Sequence, residues 1–268
     1  MNNAKQSIAG KKSEQRQKIH NLLEKYDKVT TEMAVTELGT SESTVRRLFC
    51  QMADDGEVNR VYGGIVAVRR ESNEYHFENI RQKQRSEKYR IGEAASTLVR
   101  SGEIIFIDSG TTAQQFAACL AKRLKTGEIY GLKVFTNSLV NIETLSELCE
   151  VYVLGGMYRK NRQDFCGYIT DIVLDTISFN KSFIGADGVF TEGKGGVCAA
   201  DLYTSQINRL VIANTRENFA IIDSTKFNRR SLVKYCTLDE VNTFITDTKL
   251  PEETATIIRA KGPEVILV

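Results

Sequence analysis

From residue 104 onward the chain alternates short apolar runs with amphipathic stretches, and no other feature limits its possible folds so severely. The runs are Ile104–Ile107, Val134–Phe135, Val151–Leu154, Ser182–Ile184, Phe219–Ile222, Phe244–Ile245 and Val265–Val268. Each is short enough to be a strand and too short for a buried helix. Segments such as Thr112–Leu124 and Leu139–Cys149 lie between several of them. This alternation predicts an α/β sheet with mainly parallel strands. A chain of 268 residues, 41% apolar and 26% charged, can bury a sizeable core in one large domain or two.

The segments just past the runs bear most directly on function. Asp108-Ser109-Gly110-Thr111-Thr112 comes after the first, Thr136-Asn137-Ser138 after the second, Gly155-Gly156 after the third, Gly185-Ala186-Asp187-Gly188 after the fourth and Asp223-Ser224-Thr225-Lys226 after the fifth. Open α/β sheets bind ligands beyond the carboxyl ends of their strands. The first loop suits a phosphate: Gly110 permits a tight turn, Ser109, Thr111 and Thr112 carry hydroxyls, and a helix starting near Thr112 aims unpaired N–H groups at the same place. Lys226 can add a point charge, while Asp187, Asp108 and Asn137 can hydrogen-bond sugar hydroxyls. Ser138, Gly155 and Gly156 complete the expected effector-binding set. Taken singly, a Gly-Thr-Thr is often only a capped helix start and a lone Asp or Lys a solvated charge. Recurrence at successive strand ends is what favours a site.

The first 70 residues are written differently, with 12 Lys/Arg against 9 Asp/Glu, compared with 24 against 25 in the remainder. Ile19, Leu22, Leu23 and Tyr26 share one helical face. Thr30 is a plausible N-cap for a second helix, with Met33, Ala34 and Leu38 inward, and Gly39 ends it. A third helix from Thr40 or Ser41 places Val45, Leu48, Phe49 and Met52 inward and Ser43, Arg46 and Arg47 outward. Two β-prone runs between Glu57 and Val66 then read as a hairpin or wing. The pattern predicts a winged helix-turn-helix whose third helix enters the major groove of double-stranded DNA. Ser41, Ser43, Thr44 and Arg46 would lie near base edges, and Arg47, Arg60 and Tyr62 nearer phosphates. The expected organisation is a DNA-binding domain at 1–68, a charged helical linker at 69–89 and an α/β sensing domain at 90–268.

Six cysteines are scattered without a C-x-x-C pair and there are two histidines, so neither a zinc site nor a disulfide framework is expected; the same holds for a cofactor. The polar stretch Met1 to Lys12 has no apolar core of a secretion signal, and no run approaches the ~18 apolar residues of a membrane span, which predicts a cytoplasmic protein.

Arg16-Gln17-Lys18-Ile19, Glu37-Leu38, Ser41 to Thr44, Val45-Arg46-Arg47-Leu48 and Gly56-Glu57-Val58-Asn59-Arg60-Val61-Tyr62-Gly63-Gly64 resemble the DNA-binding domain of the DeoR family of bacterial transcriptional regulators. The second half resembles the sensor domain of that family through Phe106-Ile107-Asp108-Ser109-Gly110-Thr111-Thr112, Thr136-Asn137-Ser138-Leu139, Leu154-Gly155-Gly156, Phe183-Ile184-Gly185-Ala186-Asp187-Gly188 and Asp223-Ser224-Thr225-Lys226-Phe227. The resemblance runs from about residue 14 to about residue 247, motif order included. It implies a regulator of sugar catabolism, commonly a repressor, released from its operator by a phosphorylated sugar. It also implies a sensor domain similar in fold to ribose-5-phosphate isomerase. Binding DNA with dyad symmetry usually means a dimer, with a tetramer as the alternative.

The enzymatic alternative, an isomerase fused to a DNA-binding module, needs a carboxylate base. Where such isomerases read Gly-Ala-Asp-Glu, this chain reads Gly185-Ala186-Asp187-Gly188. The chain also departs from the pattern of the regulators. Leu48 stands where they usually carry Asp, Tyr62 where they carry His, and Val197, Thr204-Ser205 and Asn208-Arg209 differ from the usual residues.

Overall fold

The computed structural model describes residues 15–23, 26, 28–55, 57–67 and 75–268. The chain divides into two compact units, 1–73 and 74–268.

In the first unit residues 15–23 form helix α1. Strand β1 (Val29–Thr30) leads into α2 (Thr31–Leu38), whose N-cap Thr30 accepts a hydrogen bond from Met33 N, and Gly39 closes the helix in the left-handed conformation. Helix α3 (Glu42–Asp54) starts on Ser41 and buries Val45, Leu48, Phe49 and Met52. Strands β2 (Val58–Val61) and β3 (Gly64–Ala67) form an antiparallel hairpin turned by Tyr62 and Gly63, with β1 on the far side of β3. That pairing is close: a Cβ on Gly64 would stand 2.2 Å from Val29 O. Ile19, Val29, Ala34, Val58 and Ile65 join the α3 residues in one core. Tyr26, expected on the first helical face, is half exposed and lies past the helix. Leu48 packs in the core, which accounts for an apolar residue at a position usually polar.

The second unit opens with α4 (Phe77–Gln82) and α5 (Arg85–Thr97). The stretch expected as a linker therefore divides differently. Residues 69–74 fall outside the described set, while from Tyr75 on the chain belongs to this unit, anchored by the buried Phe77, Lys88 and Ile91.

Next come β4 (Ile104–Ile107), α6 (Thr111–Lys125), β5 (Lys133–Thr136), α7 (Leu139–Leu145) and β6 (Glu150–Val153). A hairpin of β7 (Met157–Arg159) and β8 (Asp164–Cys166) precedes α8 (Tyr168–Leu174) and β9 (Phe179–Ile184). After β10 (Gly188–Phe190) and β11 (Gly196–Ala199) come α9 (Leu202–Ala213) and β12 (Thr215–Ile221). The chain ends with β13 (Val233–Cys236), β14 (Thr243–Thr246), α10 (Glu252–Arg259) and β15 (Glu264–Leu267).

Seven strands form the main sheet in the order β15-β14-β12-β9-β4-β5-β6, every neighbouring pair parallel. Side chains alternate between its faces. Ile105, Ile107, Phe183, Phe219 and Ile221 pack under α5 and α6, with Phe183 stacked between Phe116 and Phe219 at 4.1 and 5.1 Å. Phe106, Ile184, Ala220 and Phe244 face α9, α10 and the small sheet β10-β11-β13. From β4 the chain builds outward to β5 and β6, then returns to lay β9 on the other side of β4. The switch in strand order therefore falls between β4 and β9, where the carboxyl ends part and leave a crevice. Among the described residues no helix is long and apolar enough to cross a membrane, and no cluster of three metal-ligating side chains occurs.

Candidate functional site

In the first unit the outward face of α3 carries the residues expected to meet DNA. Ser41 caps Thr44 N and bonds the hydroxyls of Ser43 (3.0 Å) and Thr44 (2.9 Å), so the start of α3 is an ordered hydroxyl cluster. Arg46 is exposed and paired with Glu42 one turn earlier, and Arg47 is exposed beside it. Arg60 on β2 lies 3.1 Å from Cys50 Sγ on the same helix. Tyr62 is 99% exposed at the hairpin tip, where Lys28 holds its carbonyl at 2.9 Å. A helix face and a ribbon tip that offer hydroxyls, guanidinium groups and a phenol can contact base edges and phosphates together.

In the second unit the crevice at the switch point is lined by the ends of β4, β9 and β12. Gly110 provides no side-chain cap for α6, so the first N–H groups of that helix face the crevice along with Thr111 and Thr112. Lys226, from the short 3-10 turn Ser224–Lys226, lies there with Nζ 4.0 Å from Asp187. Lys88 on α5 reaches the same space, 3% exposed, with Nζ on Ile80 O at 2.8 Å. Burial pulls its ammonium down to about 8, and Asp223 opposes that shift. Gly92 explains how Lys88 comes so near: a Cβ there would meet Phe116 N at 2.6 Å, so α5 lies directly against α6. A helix N-terminus and two ammonium groups facing one crevice, which Asp108, Asp187 and Asp223 also line, are an arrangement that can hold an anion.

Asp108 is 4% exposed and ties two strand ends together, its carboxylate accepting Ser109 N at 2.7 Å and Gly185 N at 2.9 Å. Burial raises its pKa against the effect of those bonds. Asp187 accepts Ala200 N at 2.8 Å and keeps its other oxygen toward Lys226. Beside them runs an ionic network. Arg159 forks onto the fully buried Asp164 at 2.8 and 2.7 Å and reaches Asp201 at 2.8 Å, while Ser109 Oγ donates to Asp164 at 2.8 Å. Arg162 lies over the same two carboxylates at longer range, 3.8 and 3.3 Å, under the ring of Tyr75.

The crevice thus brings together Asp108, Ser109, Gly110, Thr111, Thr112, Asp187 and Lys226 from the expected set. Asn137, Ser138, Gly155 and Gly156 are not in its lining. Asn137 donates to Phe165 O, Ser138 caps α7, Gly155 O accepts Thr170 Oγ1, and a Cβ on Gly156 would stand 2.5 Å from Cys166 O. They shape the wall that carries β8. Lys88, Tyr75 and Arg162 line the crevice without having been expected there. Each is a single residue in a charged or polar stretch, and no local pattern distinguishes it.

Two family models match the chain: the DeoR-like helix-turn-helix domain over residues 16–71 and the DeoR C-terminal sensor domain over 83–248. The chain is similar to the HTH-type transcriptional regulator IolR of Bacillus subtilis (strain 168), 27% identical over 80% of this chain and 82% of the relative. It is also similar to the lactose phosphotransferase system repressor of Streptococcus mutans serotype c, 28% identical over 88% and 92%. A solved ribose 5-phosphate isomerase A from Methanocaldococcus jannaschii aligns with 54% of this chain and 55% of its own, at 19% identity and a TM-score of 0.41.

Proposed function

The chain belongs to the DeoR family of transcriptional regulators, and from that premise we propose that it represses sugar-catabolism genes from an operator and is released by a phosphorylated sugar. The observation that carries the effector assignment is the convergence of the uncapped α6 N-terminus, Lys88 and Lys226 on one crevice. A phosphate dianion can accept from all three. Asp187 can accept from sugar hydroxyls, while Asp108 holds the loops in place. Relatives that include a lactose phosphotransferase system repressor support the sugar assignment. Recognition of a two-fold operator calls for a dimer or tetramer, acting in the cytoplasm.

The release is a population shift: the effector must bind the DNA-incompetent arrangement more tightly than the competent one. The position after Asp187 is Gly188, and a Cβ there would already stand 2.8 Å from Arg229 O, so an isomerase base has no room at that point. The test is fluorescence anisotropy on DNA from upstream of this gene and its neighbours, at fixed salt, with and without a panel of sugar phosphates. Tight binding relieved by one compound is the expected result. Binding no tighter than to random DNA and unmoved by every compound overturns the proposal.

A further inference from the structure

We propose that Arg162, under the ring of Tyr75, reads the sugar end of the effector by donating to a hydroxyl or carbonyl oxygen, and so sets which phosphorylated sugar the protein answers to. The inference rests on the sugar-phosphate reading above. Arg162 lines the crevice, its side chain is 14% exposed, and its Nε is buried with no hydrogen-bond partner among the described residues. A buried charged donor left unpaired costs free energy that an incoming acceptor restores.

The neighbouring carboxylates do not fill that need. Asp164 is already gripped by the Arg159 fork at 2.8 and 2.7 Å and by Ser109 at 2.8 Å, and Asp201 by Arg159 at 2.8 Å. Arg162 stands farther from both, at 3.8 and 3.3 Å. Those carboxylates do balance its charge. What Arg162 offers a ligand is therefore a fixed, directed N–H more than net attraction, which suits a neutral oxygen better than a second phosphate.

Its position points the same way. Arg162 comes from the β7–β8 hairpin, whereas the anion cradle is supplied by α5, α6 and the turn after β12. Tyr75, with its ring 4.0 Å from the guanidinium, fixes the plane of the fork. A site that must hydrogen-bond a substrate oxygen rejects analogues lacking it far more strongly than an apolar pocket does.

Calorimetric titration of the full-length protein with inorganic phosphate, ribose 5-phosphate, fructose 6-phosphate and glucose 6-phosphate tests this. Arg162→Lys keeps the charge but loses the directed Nε and the planar fork. It is expected to weaken the sugar phosphate that the wild type binds by at least about tenfold, while inorganic phosphate and effector-free operator binding stay within about twofold. Tyr75→Leu, which leaves the ion pairs intact, should weaken the same compound with the same selectivity, and it decides the matter if the lysine variant fails to fold. A folded variant that binds sugar phosphate as the wild type does overturns the inference alone. So does one that loses inorganic phosphate and sugar phosphate equally. A wild type that takes up none of the sugar phosphates overturns the functional reading and the inference with it.

Discussion

Lys88 gives the crevice a pH dependence with a definite sign. Its ammonium is held down to about 8 by burial, and the charged form attracts phosphate, which is itself almost fully dianionic above pH ~7. Effector affinity should therefore fall as pH rises from 7 to 9, and Lys88→Arg should flatten that fall; titrations at three pH values decide it. Asp164 makes a second residue-scale prediction. It is fully buried and is the carboxylate that Arg159 forks onto. Asp164→Ala would take the two-bond fork from a mostly buried guanidinium and leave it Asp201 as its one close carboxylate, which should cost about 3 kcal/mol in denaturant unfolding. At this scale the sequence is readable where backbone chemistry leaves a mark. Asp108 to Thr112 announce themselves as a strand end and a helix start, although Gly110 between them is extended backbone where the sequence suggests a tight turn. Lys88, Arg162 and Tyr75 leave no such mark, because only the tertiary path brings them to the crevice. Asn137, Ser138, Gly155 and Gly156 look in sequence like equals of Asp108, yet they come after β5 and β6, which lead away from the switch point.

Among the elements, the contact between α5 and α6 at Gly92 sets how near Lys88 stands to the start of α6. Gly92→Ala should force the helices apart, lowering thermal stability by about 1–3 kcal/mol and weakening sugar-phosphate binding beyond what the stability loss explains. Unchanged affinity in a folded variant would mean that Lys88 is placed by something other than this contact. The inner strands of the parallel sheet are legible because burial on both faces makes them short apolar runs bounded by polar loops, and the edge strand β6 keeps an apolar run although Tyr152 and Val153 are exposed. The charged stretch before them is not. Arg85–Thr97 shows a weak apolar stripe because Gly92, Ala95 and Ser96 reach the interior by being small. The hairpin β7–β8 escapes as well, since its strands are three residues each and Met157 and Tyr158 are exposed.

For the molecule as a whole, two compact units predict two responses. A bound sugar phosphate should raise the calorimetric transition of residues 74–268, by about 2.7 kcal/mol at a hundredfold excess over Kd, and leave that of the first unit unmoved; a single shifted transition would show that they unfold as one. On the DNA side, Arg46→Ala should cost about 1–3 kcal/mol if the side chain reads a guanine, whereas Arg47→Ala should weaken all sequences alike and lower the salt slope by about 1. Anisotropy at several salt concentrations separates the two. The split between β4 and β9 also bears on how such proteins diversify. The crevice arises from strand order, and the groups proposed to hold a phosphate sit on different segments from Arg162 and Tyr75. A duplicated copy can therefore exchange the residues facing the sugar while its phosphate grip, and with it some response to phosphorylated metabolites, survives every intermediate step.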